Sequence, residues 1–176
     1  GLAIAALILK FGYHKHLSMD GVGYFLHILE TRSITGVNVA RRSSELLVQL
    51  PLVVAVRLGV KSIPVLVQFF ALGILLPYLI SFACSWYALC EREKTLMLFP
   101  LASYFSISMT GDYLLSGEHH VMTLMAWPVL FLLLIERPLR VIEGVLLLAS
   151  LAIFCWSYET AVIPMGLFLL VIGVRL

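Results

Sequence analysis

Residues 62–89 read SIPVLVQFFALGILLPYLISFACSWYAL. An α-helix rises 1.5 Å per residue, so about twenty apolar residues cross the hydrocarbon core of a bilayer. This run is long enough to cross with tilt. Pro64 near its start is tolerated, and Pro77 predicts a kink. Glu91-Arg92-Glu93-Lys94 closes the run.

The same alternation repeats on either side. Four long apolar stretches are broken by short polar clusters, and the acidic and histidine residues sit in those clusters. The clearest is GDYLLSGEHH at 111–120; a second gathers His14, Lys15, His16 and Asp20. Composition agrees. The 176 residues are 61% hydrophobic and 12% charged, with a mean hydropathy of +1.03. A soluble domain carries roughly 25% charge. The chain therefore reads as an integral membrane protein. A net charge of +2, with no basic run, gives no ground for a nucleic-acid partner. Cys84, Cys90 and Cys155 lie in or beside apolar runs without paired spacing, so they read as free thiols rather than a disulfide or metal framework.

The expected fold is all-α: a polytopic transmembrane helical bundle over a single domain, 1–176, with an amphipathic juxtamembrane helix in the first external loop. The chain opens and stops inside apolar runs, at Gly1-Leu2-Ala3-Ile4 and Gly173-Val174-Arg175-Leu176, and reads as an internal piece of a longer protein. Gly1–Tyr13 reads as the end of a first spanning helix. Val22, Phe25, Leu26 and Leu29 recur at helical spacing beside Asp20, His27 and Glu30, which predicts an amphipathic helix at the interface. Thr31–Ser43 reads as a loop or second short helix. Glu45–Gly59 is apolar but too short for a full span, a short or juxtamembrane helix. Leu96–Met109 and Val121–Ile135 read as short spans. Val141–Trp156 and Ala161–Val174 pair as a helical hairpin around Ser157-Tyr158-Glu159. Trp86, Trp127 and Trp156 fall near helix ends, as an aromatic belt requires.

Parity tests the topology. With Glu45–Gly59 uncrossed, Asp20, the Asp112–His120 loop and Glu159 share one face, while Arg92, Lys94, Arg137, Arg140 and Arg175 share the other. Short cationic loops favour the cytoplasm, which makes the carboxylate face external. Against this, the Asp20 side also holds Lys15, Arg32, Arg41, Arg42, Arg57 and Lys61.

Few residues can carry chemistry. Asp20 is either a helix N-cap or a general base at the membrane boundary, where a carboxylate can take an acceptor's proton. Glu118, His119 and His120 put three ionisable groups between apolar spans, an expensive arrangement in lipid. Glu118 and His120 are candidates to bind a divalent metal ion or a phosphate; the alternative is a solvated loop or first helical turn. Arg41 and Arg42 either fork onto a phosphate or anchor a helix at headgroups. Glu159 is either a loop residue or points into a cavity.

In order, these features resemble the membrane-embedded glycosyltransferases of the GT-C class, which include dolichyl-phosphate-mannose-dependent mannosyltransferases and bacterial aminoarabinose transferases. Ser18-Met19-Asp20-Gly21 looks like the family's acidic residue after the first spanning helix. Leu50-Pro51-Leu52 through Arg57-Leu58-Gly59 is similar to its proline-containing juxtamembrane segment. Gly117-Glu118-His119-His120 looks like its second acidic loop, and Tyr158-Glu159-Thr160 like a later helix start. The likeness covers nearly the whole chain, as the N-terminal half of such an enzyme. The chain departs from it in carrying Pro51 alone for a double proline, and Glu-His-His where several members carry Asp. The resemblance implies inverting sugar transfer from a polyprenyl-phosphate donor at the external face of a bacterial inner membrane or cell membrane. Asp20 would be the base. Glu118 with His119 or His120, together with Arg41, Arg42 and Glu159, would bind substrate. Its partners would be the lipid bilayer and the lipid-linked sugar donor. The competing expectation is a non-catalytic transmembrane fragment of a transporter or assembly scaffold, with its ionisable groups near mid-membrane.

Overall fold

The computed structural model describes residues 20–35, 42–89, 94–108 and 118–157, together with Leu17, Ala161, Met165, Gly166, Phe168, Leu170 and Gly173; for Asp20, Ile107, Ser108, Glu118 and His119 it describes the backbone alone. These residues form six α-helices and no strand: α1 (Asp20–Thr31), α2 (Arg42–Arg57), α3 (Ile63–Ala88), α4 (Leu98–Ser103), α5 (Glu118–Leu133) and α6 (Val141–Cys155). The all-helical expectation holds. Among the described residues only α3 is long and apolar enough to cross a membrane, while His120–Leu133 and α6 are shorter apolar helices.

α3 is the axis of the bundle. At 26 residues it is about 39 Å long, and other helices pack along each half. Along its first half lies α2, joined to it by a tight turn. Gly59 closes α2 with φ 81°. Its N–H donates to the Val56 carbonyl and that of Val60 to the Ala55 carbonyl, both at 3.1 Å. That is the Schellman end, for which a left-handed glycine is best suited. The two helices then run antiparallel and very close. A Cβ placed on Gly73 would overlap the carbonyl oxygen of Val48 and touch the Pro51 ring. Only glycine permits backbones to approach this far.

Along the second half of α3 lies α5, against which α4 and α6 pack in turn. α5 runs parallel to α3. Ser81 pairs with Leu124, and farther along Ala88 and Leu89 pack with Phe131, Leu132 and Ile135. α6 returns antiparallel to α5. The segment expected as one span at Leu96–Met109 is instead three helical pieces: a 3₁₀ turn at Lys94–Met97, α4, and a wider π-type turn at Tyr104–Ser108. The wider turn begins at Tyr104, which is fully buried. Its ring meets Tyr78 edge-on at 5.5 Å, Phe82 at 6.2 Å and Phe105 at 5.2 Å. Such aromatic pairs contribute about 0.5–1.5 kcal/mol each beyond burial, and they make the non-ideal turn a packed feature.

Two further expectations need correction. In α1 the buried face is Phe25 and Ile28, with Val22 and Leu26 exposed. Phe25 packs on Phe70 with ring centroids 5.9 Å apart, so a protein partner selects the buried stripe. Trp127 is no belt residue. Its indole N–H donates to Ser103 Oγ at 3.0 Å and its ring stacks on Phe99 at 5.8 Å. Trp86 and Trp156 do stay exposed.

Charges gather at the ends of α3. Near its start lie Arg32, Arg57 and Lys61, all exposed. Near its end, Lys94 sits 5.4 Å over the Trp86 ring, and the α5–α6 turn carries Arg137 and Arg140. Arg137 grips Glu143 with both guanidinium nitrogens, at 2.6 and 2.8 Å. Glu143 also accepts the Arg140 N–H at 2.7 Å, which closes the first turn of α6.

Candidate functional site

Ser44, Glu45 and His120 come to one level where the two halves of the bundle join. Four residues on from the Gly73–Val48 crossing, α3 reaches Pro77 and antiparallel α2 reaches Ser44. Four residues back from the Ser81–Leu124 contact, α3 again reaches Pro77 and parallel α5 reaches His120. The helical rise thus puts Ser44 and His120 at one level of α3. The end of α6 arrives there too. The Ser43 N–H donates to the Trp156 carbonyl at 3.1 Å. The Ser44 hydroxyl donates to the Ser157 carbonyl at 3.1 Å, and the Ser157 hydroxyl donates to the Ile153 carbonyl.

This junction is a head-to-tail meeting of helix termini. The first N–H groups of α2 lack intrahelical acceptors, and the last carbonyls of α6 lack donors. Each supplies what the other needs, and the opposed dipole ends attract. The junction also buries ionisable and polar groups. Glu45 is 5% exposed, His120 4% and Gln49 1%. Glu45 lies in the first turn of α2, where a carboxylate is favoured by the helix dipole. Gln49 reaches out of the bundle floor, its Oε1 accepting the Thr35 N–H at 2.8 Å, and so holds the segment after α1 against α2.

The sequence candidates divide accordingly. Glu118, His119 and His120 are the first turn of α5 rather than a loop, and His120 is inside the bundle. Asp20 is the first residue of α1, about 16 Å along the helix from Thr31. Arg42 opens α2 and is exposed. Arg41 and Glu159, with the rest of the 111–117 cluster, lie outside the described residues. Among the described residues no group of three or more His, Cys, Asp and Glu side chains gathers as a metal site would require. Cys84 and Cys155 are free thiols, both partly buried.

Glu45 and Gln49 were not singled out from sequence, although the signal was there. Positions 45, 48, 49, 52 and 53 follow the helical i, i+3, i+4, i+7, i+8 period. That period sets Glu45 and Gln49 on the buried face with Val48, Leu52 and Val53.

Among the described residues, fold and junction together define a helical bundle with one helix long and apolar enough to cross a membrane and a polar seam between two packed tiers. The chain matches no protein-family model, no curated protein and no solved structure.

Proposed function

We propose that the chain belongs to a multi-pass membrane glycosyltransferase that moves a sugar from a polyprenyl-phosphate donor to an acceptor hydroxyl with inversion. In that reaction the acceptor oxygen bonds to the anomeric carbon as the bond to the donor phosphate breaks. The lipid phosphate leaves with the electron pair, and Asp20 takes the acceptor's proton. Glu118, with His119 or His120, would position the donor phosphate directly or through a divalent ion, and Arg41, Arg42 and Glu159 would line the same region.

One observation carries the reading: the first turn of α5, with Glu118-His119-His120, lies level with the start of α2 and the end of α6. Sugar transfer from a lipid needs polar groups from distant segments to share one zone beside an apolar wall, because the donor's lipid stays in hydrocarbon. The tier holding amphipathic α1 and the tier holding apolar α5 and α6 meet at this level. The test is Asp20→Asn in the full-length protein. Sugar transfer should fall about 10²-fold or more with expression intact; normal turnover would remove the base assignment.

One feature favours a second reading, a transporter element. Pro77, and so the junction, stands near the middle of α3, where discontinuous transporter helices place their ionisable groups. Labelling a Ser43→Cys variant, at the partly exposed rim of the junction and in a background without the native thiols, separates the two. A transferase site reacts with an impermeant maleimide from one membrane face; a transport pathway reacts from both.

A further inference from the structure

Arg32, Arg57 and Lys61 form a cationic corner at the start of α3 that neither functional reading uses. Its geometry is specific. Arg32 ends α1 with φ 55°, a left-handed conformation that a non-glycine residue adopts at a cost. Its N–H donates to the Ile28 carbonyl at 2.9 Å, the single bond of an αL helix end. The conformation turns the Arg32 carbonyl to the Arg57 guanidinium, whose Nε donates to it at 3.0 Å. Lys61 follows the Schellman turn that ends α2. Arg32 and Arg57 thus meet with Lys61 in the turn that follows; all three are exposed, and none of them makes an ion pair among the described residues.

An apolar stripe leads away from this corner. Leu46, Leu50 and Val54 on α2 and Leu58 just past its end recur every four residues and are all exposed, Leu58 by 79%. Four residues are little more than one helical turn, so they make one continuous face. From Leu46 to Leu58 is about 18 Å, close to one leaflet of a hydrocarbon core about 30 Å thick. A phosphate-sized anion at the corner and an acyl chain along the stripe match a single amphiphile.

The geometry points to an anionic phospholipid bound here, its phosphate held by Arg32, Arg57 and Lys61 and an acyl chain laid along Leu46, Leu50, Val54 and Leu58. This goes beyond the sugar-transfer reading and stands or falls separately from it. The site lies in the first-half tier, away from Glu118 and His120.

The test is native mass spectrometry of the full-length protein in detergent, titrated with dioleoyl-phosphatidylglycerol or dioleoyl-phosphatidylcholine. Phosphatidylglycerol should bind the more tightly. Arg57→Gln, Lys61→Gln and Arg32→Gly should each weaken it about fivefold, the effect of one basic residue at an anionic lipid surface. Lys94→Gln, at the opposite end of α3, should leave it unchanged. Leu50→Gln with Val54→Gln should weaken both lipids. Equal affinity for the two lipids, or an equal loss in Lys94→Gln, overturns the headgroup site. Displacement by millimolar inorganic phosphate, or no effect of the Leu50/Val54 pair, overturns the lipid and leaves an ion alone. A dimer broken by the Leu50/Val54 pair, with no lipid retained, assigns the stripe to a second copy and also overturns the proposal. Thermal midpoints no lower than the parent's for all variants in lipid-free detergent keep these outcomes separate from unfolding.

Discussion

The Ser81 hydroxyl donates to the Leu124 carbonyl at 2.6 Å, deep between α3 and α5. The acceptor is one that α5 itself cannot serve. Four residues on stands Pro128, which has no N–H to return. The proline opens a carbonyl, and a serine on the neighbouring helix closes it. A local defect in one helix has become the bond that aligns two.

Ser81→Ala should therefore destabilise the protein by about 1–3 kcal/mol, the cost of a buried acceptor left unpaired. Pro128→Ala restores the missing N–H. In that background the same Ser81→Ala change should cost less, so a double-mutant cycle on denaturation midpoints should show coupling. Equal losses in both backgrounds would deny that the proline creates the need for the serine.

Gly73→Ala should separate α2 from α3, because the added methyl meets the Val48 backbone rather than a side chain able to swing away. Overpacking of this kind costs about 1–3 kcal/mol or more. Gly144→Ala is the control. Its Cβ would meet nothing within 4 Å, and the change should be neutral or add about 0.5–1 kcal/mol of helix stability. The thermal midpoint should fall in Gly73→Ala and hold or rise in Gly144→Ala.

Glu143 predicts an acid-sensitive cap. The Arg137 guanidinium and then the Arg140 N–H hold its carboxyl at about 2, against an ordinary value of 4.5. A carboxylate with a lowered folded value contributes stability above its unfolded value and loses it as pH falls. Glu143's share should be complete above pH 4.5 and vanish progressively towards pH 2. A pH series of thermal midpoints should lose that component in Glu143→Gln; parallel profiles for parent and variant would discard the assignment.

Glu118→Gln should weaken binding of the lipid-phosphate donor if the first turn of α5 holds it. Expression and thermal midpoint should stay near the parent's, since the change keeps size and removes only charge. An unchanged donor affinity would return Glu118 to the role of a dipole-favoured residue at a helix start.

Much of the helical layout was legible along the chain. The start of α1 at Asp20, the length of α3 and the α5–α6 turn at Glu136–Arg140 follow from apolar runs, polar breaks and prolines. The first turn of α5 was not legible: Glu118-His119-His120 reads equally as loop or helix until its neighbours are known. Nor was the buried face of α1. Val22, Phe25, Leu26 and Leu29 satisfy the helical period, but Phe70 chose Phe25 and Ile28. The π-type turn at Tyr104 was invisible for the same reason, since three rings from α3 and the turn itself hold it open.

By itself, then, the order of residues decided that this chain is helical, strongly apolar and built around residues 63–88, because hydrogen bonding and hydrophobic period act over a few turns. Tertiary structure alone decided that Gly73 is a crossing point, that Pro128 needs Ser81, and that Glu45 and His120 come to one level beside Pro77. Those relations join residues about 25 to 75 positions apart. They depend on helix direction and register, which no local stretch of sequence encodes.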